Sequence, residues 1–144
     1  MSKETGLGWT ALTIDDASGT PVELVDPDSG VDPVTNLSWA TPRAVQDVTG
    51  IGKSAMERLL LLADMSTTYN GVFDPGASSA HSVFRTIPST SVARTTLIQI
   101  SGQELDTELL YTDYGLTRNQ DGSFTWTVPG VLADGTVPTW DTVA

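Results

Sequence analysis

Gly52, Lys53 and Ser54 read Gly-Lys-Ser, the closing residues of a phosphate-binding loop, and the apolar run Leu59–Leu62 with Asp64 behind it looks like the strand and acid of a magnesium site. The spacing removes this reading. The pattern G-x-x-x-x-G-K-[ST] needs glycine five positions before Gly52, and the chain has Asp47 there. A carboxylate would face the phosphates that the loop should cradle. Asp64 also ends the same segment and does not lie on a separate strand. Ser54 and Glu57 instead spell S-x-x-E, a capping box. The Ser54 hydroxyl would accept the Glu57 N–H, the Glu57 carboxylate would reach back to the Ser54 N–H, and its charge would suit a helix N-terminus. Gly50 and Gly52 would allow a sharp approach from a strand.

The other groups with chemical potential carry less. Asp26 and Asp28 stand two apart, as in a calcium loop, but the twelfth position, which should be a bidentate glutamate, is Leu37. A solvated acidic loop follows. Glu104, Asp106 and Glu108 alternate. Extended, they would share one face, fit for water, a cation or the repulsion of anions; the turn residues that open "SGQELD" favour a solvated hairpin loop. His81 is the single histidine, and no G-x-S-x-G elbow marks a nucleophile for it to activate. There is no cysteine, so no disulfide or thiolate metal site exists. No catalytic, cofactor-binding or metal-binding residue is assigned, and no cofactor is expected. The four tryptophans, Trp9, Trp39, Trp126 and Trp140, could stack on a glycan, but their apolar neighbours favour burial in a core or interface.

The elements that must hold these residues are mostly strands. Trp9–Asp15, Val22–Val25, Val34–Thr41, Ser66–Phe73, Arg94–Ser101, Glu108–Arg118 and Ser123–Pro129 read as extended segments, and "NQDG" (Asn119–Gly122) reads as a hairpin turn. Met56, Leu59, Leu60 and Ala63 fall at i, i+3, i+4 and i+7, which predicts a helix over about 54–64. Asp74–Arg85 reads as a turn followed by a helical turn or two. The fold class predicted is mostly β, an antiparallel β-sandwich or barrel of about seven or eight strands with one main α-helix.

Composition bounds the function. The 144 residues fit one domain, residues 1–144, with an N-terminal arm over about 1–8 and an acidic loop over about 26–33. The net charge of −11 argues against a protein that wraps nucleic acid, since phosphate binding needs Lys and Arg. Neither a signal-peptide pattern nor a membrane-length apolar run is read, so synthesis in a cytoplasm is expected.

Several segments together resemble the tail tube proteins (major tail proteins) of long-tailed, siphovirus-type phages: "SWATPRAVQDVTGIGKSAMERLLLLADMSTTYNGVF" (Ser38–Phe73), "SAHSVFRTIPSTSVART" (Ser79–Thr95), "LLYTDYGLTRNQDGSFTWTVPG" (Leu109–Gly130) and "DGTVPTW" (Asp134–Trp140). The resemblance covers about Trp9 to Trp140. It implies a β-sandwich with one flanking helix and a structural virion protein without catalytic activity. Subunits would form hexameric rings that stack into a hollow conduit for genome delivery. Implied partners are other copies of the chain, the tape-measure protein, the tail terminator and distal tail proteins, and DNA passing non-specifically through the lumen, with no membrane insertion. The location implied is the virion tail, assembled in the host bacterial cytoplasm. On this reading Asp26, Asp28, Asp32, Glu104, Asp106 and Glu108 are the candidate lumen or interface acids, where negative charge would keep DNA from sticking. The alternatives are a capsid decoration or other head-surface protein and a soluble β-sandwich binding module.

Overall fold

The computed structural model describes residues 9–25, 34–74 and 80–143. The elements in chain order are β1 (Trp9–Asp15), β2 (Pro21–Val25), β3 (Val34–Ala40), β4 (Arg43–Asp47), β5 (Arg58–Ala63), β6 (Ser66–Val72), α1 (Ala80–Phe84), β7 (Arg94–Ile100), β8 (Gln103–Tyr111), β9 (Gly115–Arg118), β10 (Phe124–Leu132) and β11 (Trp140–Thr142). Nine strands form one antiparallel sheet in the order β2-β1-β7-β8-β10-β6-β3, with β11 added to β8 and β9 to β10. β4 and β5 form a separate two-stranded ribbon.

Alternation writes the core. Along β8 the side chains of Leu105, Thr107, Leu109 and Tyr111 are buried, while those between them are exposed or half-buried. Along β10 the buried set is Trp126, Val128 and Gly130, and along β7 it is Arg94, Thr96 and Ile98. This is the period of two that a half-buried strand requires. Leu24 on β2 and Val34 on β3, at opposite ends of the strand order, belong to one packed cluster, so the sheet curls round its core. Two strands change partners to permit this. β8 pairs with β11 through Gln103–Leu105 and with β10 through Leu109–Tyr111. β10 pairs with β9 through Phe124–Thr127 before it meets β8. At their junction Gly130 has no room for a side chain: a Cβ there would lie 2.7 Å from Thr67 Oγ1 and 2.9 Å from the Tyr111 ring.

The short helix α1 closes one side of the core. Phe84 sets its ring edge-on to Tyr111 at 5.4 Å and tilted against Trp126 at 5.6 Å. Arg94, buried inside the molecule, holds the helix end: Nη1 donates to the Val83 carbonyl at 2.6 Å and Nη2 to Thr86 Oγ1 at 2.9 Å. A guanidinium at a helix C-terminus also meets the negative end of the helix dipole. Beside it the Tyr111 hydroxyl bonds Thr96 Oγ1 at 2.6 Å and approaches the Tyr69 hydroxyl at 3.4 Å, a polar string inside an apolar core.

Two expectations need correction. There is no helix over 54–64: Arg58–Ala63 is strand β5, paired with β4. The Ser54/Glu57 capping box falls with it. The Glu57 N–H goes to Thr49 Oγ1 at 2.7 Å and the Glu57 carbonyl accepts the Val48 N–H at 2.9 Å, the bonding of a hairpin and not of a helix start. The strand count among the described residues is eleven, above the seven or eight expected, because β4, β5 and β11 add to it and Glu108–Arg118 is divided between two strands. The predicted helical turn within Asp74–Arg85 is α1. The arm over 1–8 and the acidic loop over 26–33 lie outside the described residues.

Candidate functional site

The turn before β8 is confined to Ser101 and Gly102, whose φ angles of 50° and 80° reverse the chain in two residues. Strand geometry resumes at Gln103, so Glu104, Asp106 and Glu108 are extended and share the outward face of β8. They are not a solvated hairpin loop. Their cross-strand neighbours on β7 are Gln99, Leu97 and Thr95. Gln99 Nε2 donates to Glu104 at 3.2 Å, and the Thr95 hydroxyl donates to Glu108.

The same face continues across the sheet. Thr13 of β1 lies opposite Leu97, and Glu23 of β2 lies opposite Thr13. Asp15 is the next outward residue of β1, and Asp141 of β11 lies opposite Glu104. Six acids thus stand on the outer surface of β2, β1, β7, β8 and β11. The only base in these five strands is Arg94, and it points into the core. The electrostatic cost falls on the central member. Partial burial, then Glu108, Glu104 and Asp15, push the Asp106 carboxyl above its usual range. Alternate residues along a strand are roughly 7 Å apart, too far for one ion to gather three of them, and among the described residues no group of three or more such side chains could hold a metal.

The outer surface of the other half is of a different kind. Strands β3, β6 and β10 contain no charged residue at all. Asn36, Ser38, Thr68, Asn70, Thr125 and Thr127 lie on their outward side, and Thr127 Oγ1 donates to Asn70 Oδ1 at 2.8 Å.

The third feature is the β4–β5 ribbon. It is held by its own ladder and by local bonds. Thr49 Oγ1 donates to Asp47 Oδ1 at 2.6 Å, and Arg43 Nε donates to the Leu61 carbonyl at 2.8 Å. None of its residues enters the core cluster. Leu59, Leu60 and Leu62 are exposed to 54%, 60% and 91%, and Ile51 at the tip is wholly exposed. Val45 lies opposite Leu60 and shares its face, while Gln46 lies opposite Leu59 on the other face; between these pairs and Arg43, opposite Ala63, the register slips by one residue, a bulge that falls at Leu61 and Leu62. Lys53 stands at the exposed tip and touches no phosphate-binding geometry.

Of the residues singled out in the sequence, Glu104, Asp106 and Glu108 are brought together. Asp26, Asp28 and Asp32 lie outside the described residues. Ser54 and Glu57 form no cap. Asp15, Glu23 and Asp141 were missed, although the alternation of Leu12 and Ile14 with Thr13 and Asp15 in "WTALTID" was the available signal for Asp15. His81 is half-buried, with Nδ1 3.2 Å from the Tyr114 hydroxyl and its ring 5.1 Å from Phe73.

No family model matches the chain, and no curated protein matches it by sequence. Solved structures do. A chain of the tail of an empty gene transfer agent particle, refined helically with C6 symmetry, superimposes with a TM-score of 0.73 at 14% identity, over 99% of this chain and 100% of that one. A chain of the native gene transfer agent virion gives a TM-score of 0.70 at 14% identity over 99% and 100%. A chain of the six-fold symmetrised baseplate of the anti-feeding prophage gives 0.66 at 9% identity, with 99% of each chain covered. The chain therefore shares the fold of these chains over nearly its whole length.

Proposed function

We propose that the chain is a structural tail tube subunit, a single domain that closes into hexameric rings, which stack into a hollow conduit for a genome. The observation that carries this reading is the fold match, over nearly the full length, to chains of a C6-symmetric tail and a six-fold symmetrised baseplate. The sheet supports it. Among the described residues β2 pairs only with β1 and β3 only with β6, which leaves two sheet edges. An open edge is a liability in a monomer and a junction in a ring, where neighbouring sheets join edge to edge into a closed barrel.

The acidic surface gives the subunit its polarity. Glu104, Asp106 and Glu108, with Asp15, Glu23 and Asp141, face the lumen, and Asp26, Asp28 and Asp32 join them there or at the ring interfaces. A wall of carboxylates repels the DNA backbone and keeps it moving. The partners are other copies of the chain, the tape-measure protein that fills the lumen during assembly, and the terminator and distal tail proteins at the two ends. The subunit performs no catalysis and takes no cofactor. It is made in the host cytoplasm and ends in the virion tail.

Negative-stain electron microscopy of the concentrated protein tests the main claim. Rings and tubes of one diameter are expected; monomers at every concentration overturn it. Glu104→Gln/Asp106→Asn/Glu108→Gln tests the lumen assignment. The triple variant should still form tubes, and double-stranded DNA should be retained in them where wild-type tubes retain none. Equal retention would move these acids off the lumen.

A further inference from the structure

Strand β8 changes partners along its length, and the change leaves a gap. β11 covers it as far as Leu105, opposite Trp140, and β10 takes over at Leu109, opposite Leu132. The Ala133 N–H still reaches the Glu108 carbonyl at 3.0 Å, and the segment 134–138 then stands off from the strand. Between them lies a cleft of about 220 Å³, lined by Asp106, Thr107, Glu108, Asp134, Val137 and Pro138. Its rim is acidic. The Thr136 N–H bonds Asp134 Oδ1 at 3.0 Å, which fixes the carboxylate there and leaves its other oxygen to a donor. Thr107 is the more telling residue, since it is only 7% exposed. A buried hydroxyl is expected to have a partner, yet Thr107 Oγ1 makes no hydrogen bond with any residue of the chain. Unlike Thr67 Oγ1 it is not sealed off, so it opens on the cleft that Thr107 lines.

The walls specify the occupant. Carboxylates at the rim call for a cation, the unbonded hydroxyl calls for an N–H donor, and Val137 and Pro138 suit an aliphatic stem. An arginine or lysine side chain combines all three. A cation there also relieves the crowding that pushes the Asp106 carboxyl up. The chain itself supplies the side chain. Among the described bases Arg118 alone is exposed on the main sheet: Arg94 is buried, Arg43, Lys53 and Arg58 belong to the ribbon, and Arg85 follows α1. Arg118 forms no ion pair within its own chain, although the chain has 18 acids. It stands on β9, which among the described residues pairs only with β10, so its other side is open to a neighbour. We infer that Arg118 of one copy enters the cleft beside β8 of another, with its guanidinium held by Asp134 and the Thr107 hydroxyl. The inference rests on the tail-tube reading and adds to it a head-to-tail contact, donor on one copy and acceptor on the next, of the kind that closes a ring.

Two full-length charge reversals test it, Arg118→Glu and Asp134→Arg. Both positions are exposed and outside the core cluster, so each variant should keep the wild-type melting temperature and near-ultraviolet circular dichroism. Each should raise the concentration needed for tube formation by more than about ten-fold, because like charges then meet at the junction. An equal mixture of the two variants is the deciding sample. Where they alternate, the reversed charge of each meets its complement on the other, at every junction of a six-membered ring. The mixture should therefore form tubes within about three-fold of the wild-type concentration. A mixture no better than its components overturns the inference. So does normal tube formation by Arg118→Glu where Asp134→Arg fails, which gives the cleft to a base from another source. If a reversal loses its near-ultraviolet signal, Arg118→Gln and Asp134→Asn replace the pair, and effects that add independently in their double variant overturn the inference. If wild type forms no tubes, the tail-tube reading falls and takes this one with it. If wild type forms tubes and the two positions prove uncoupled, this inference falls alone.

Discussion

Asp106 is the residue that bears the cost of the acidic face. Partial burial and three neighbouring carboxylates favour its protonated form in the fold. The sign follows from linkage. A carboxyl whose folded pKa is raised weakens the fold at neutral pH, and the penalty lifts as the pH falls through the raised value, vanishing below the unperturbed 3.8. Asp106→Asn should therefore stabilise the isolated subunit by about 0.5 kcal/mol or less at pH 7, the small size reflecting screening of exposed like charges. Its advantage over wild type should shrink towards pH 4 in thermal melts. Asp16, Asp47 and Asp121 are of the opposite kind. Hydrogen bonds from Thr20 and Ser18, from Thr49 and from Ser123 hold their carboxyls below the usual range. They favour the fold above 3.8 and lose that contribution as acid protonates them.

At the scale of elements, the ribbon should behave as a separate body. Its strands share no core residue with the sheet, so its amides should exchange with solvent orders of magnitude faster than those of β7 and β8 in the monomer. Hydrogen exchange of the monomer followed by mass spectrometry checks this. The same isolation explains what the sequence conveyed and what it did not. Strands with one buried face announced themselves: Trp9–Asp15 was read to the residue, and Ser66–Val72 and Arg94–Ile100 to within one. "NQDG" did form the β9–β10 turn, with the Asn119 N–H on the Ser123 carbonyl at 2.8 Å and Gly122 at a φ of 95°. The run from Met56 to Ala63 misled because leucine favours helices, and a continuous apolar run satisfies helical and doubly buried strand templates alike. The acidic site was half legible. The alternation of Glu104, Asp106 and Glu108 was visible, but its reach to Asp15, Glu23 and Asp141 depends on strand order, which local pattern does not encode.

At the scale of the whole molecule, charge is one-sided. Acids crowd the outside of β2, β1, β7, β8 and β11, while β3, β6 and β10 carry no charge. In the proposed ring, six such faces would turn to a common axis and repel one another, and salt would relieve this. Tube yield at fixed protein concentration should rise several-fold between about 0.01 M and 0.15 M ionic strength, as the screening length falls from about 30 Å to about 8 Å. Sedimentation at both salts checks it; a yield that falls with salt would mean that attraction between opposite charges drives assembly. The separateness of the ribbon has an evolutionary corollary. Substitutions in residues 43–64 and in the core touch different neighbours, so their effects on folding should add. Lineages can then vary the ribbon freely while the packing of the main sheet is inherited intact.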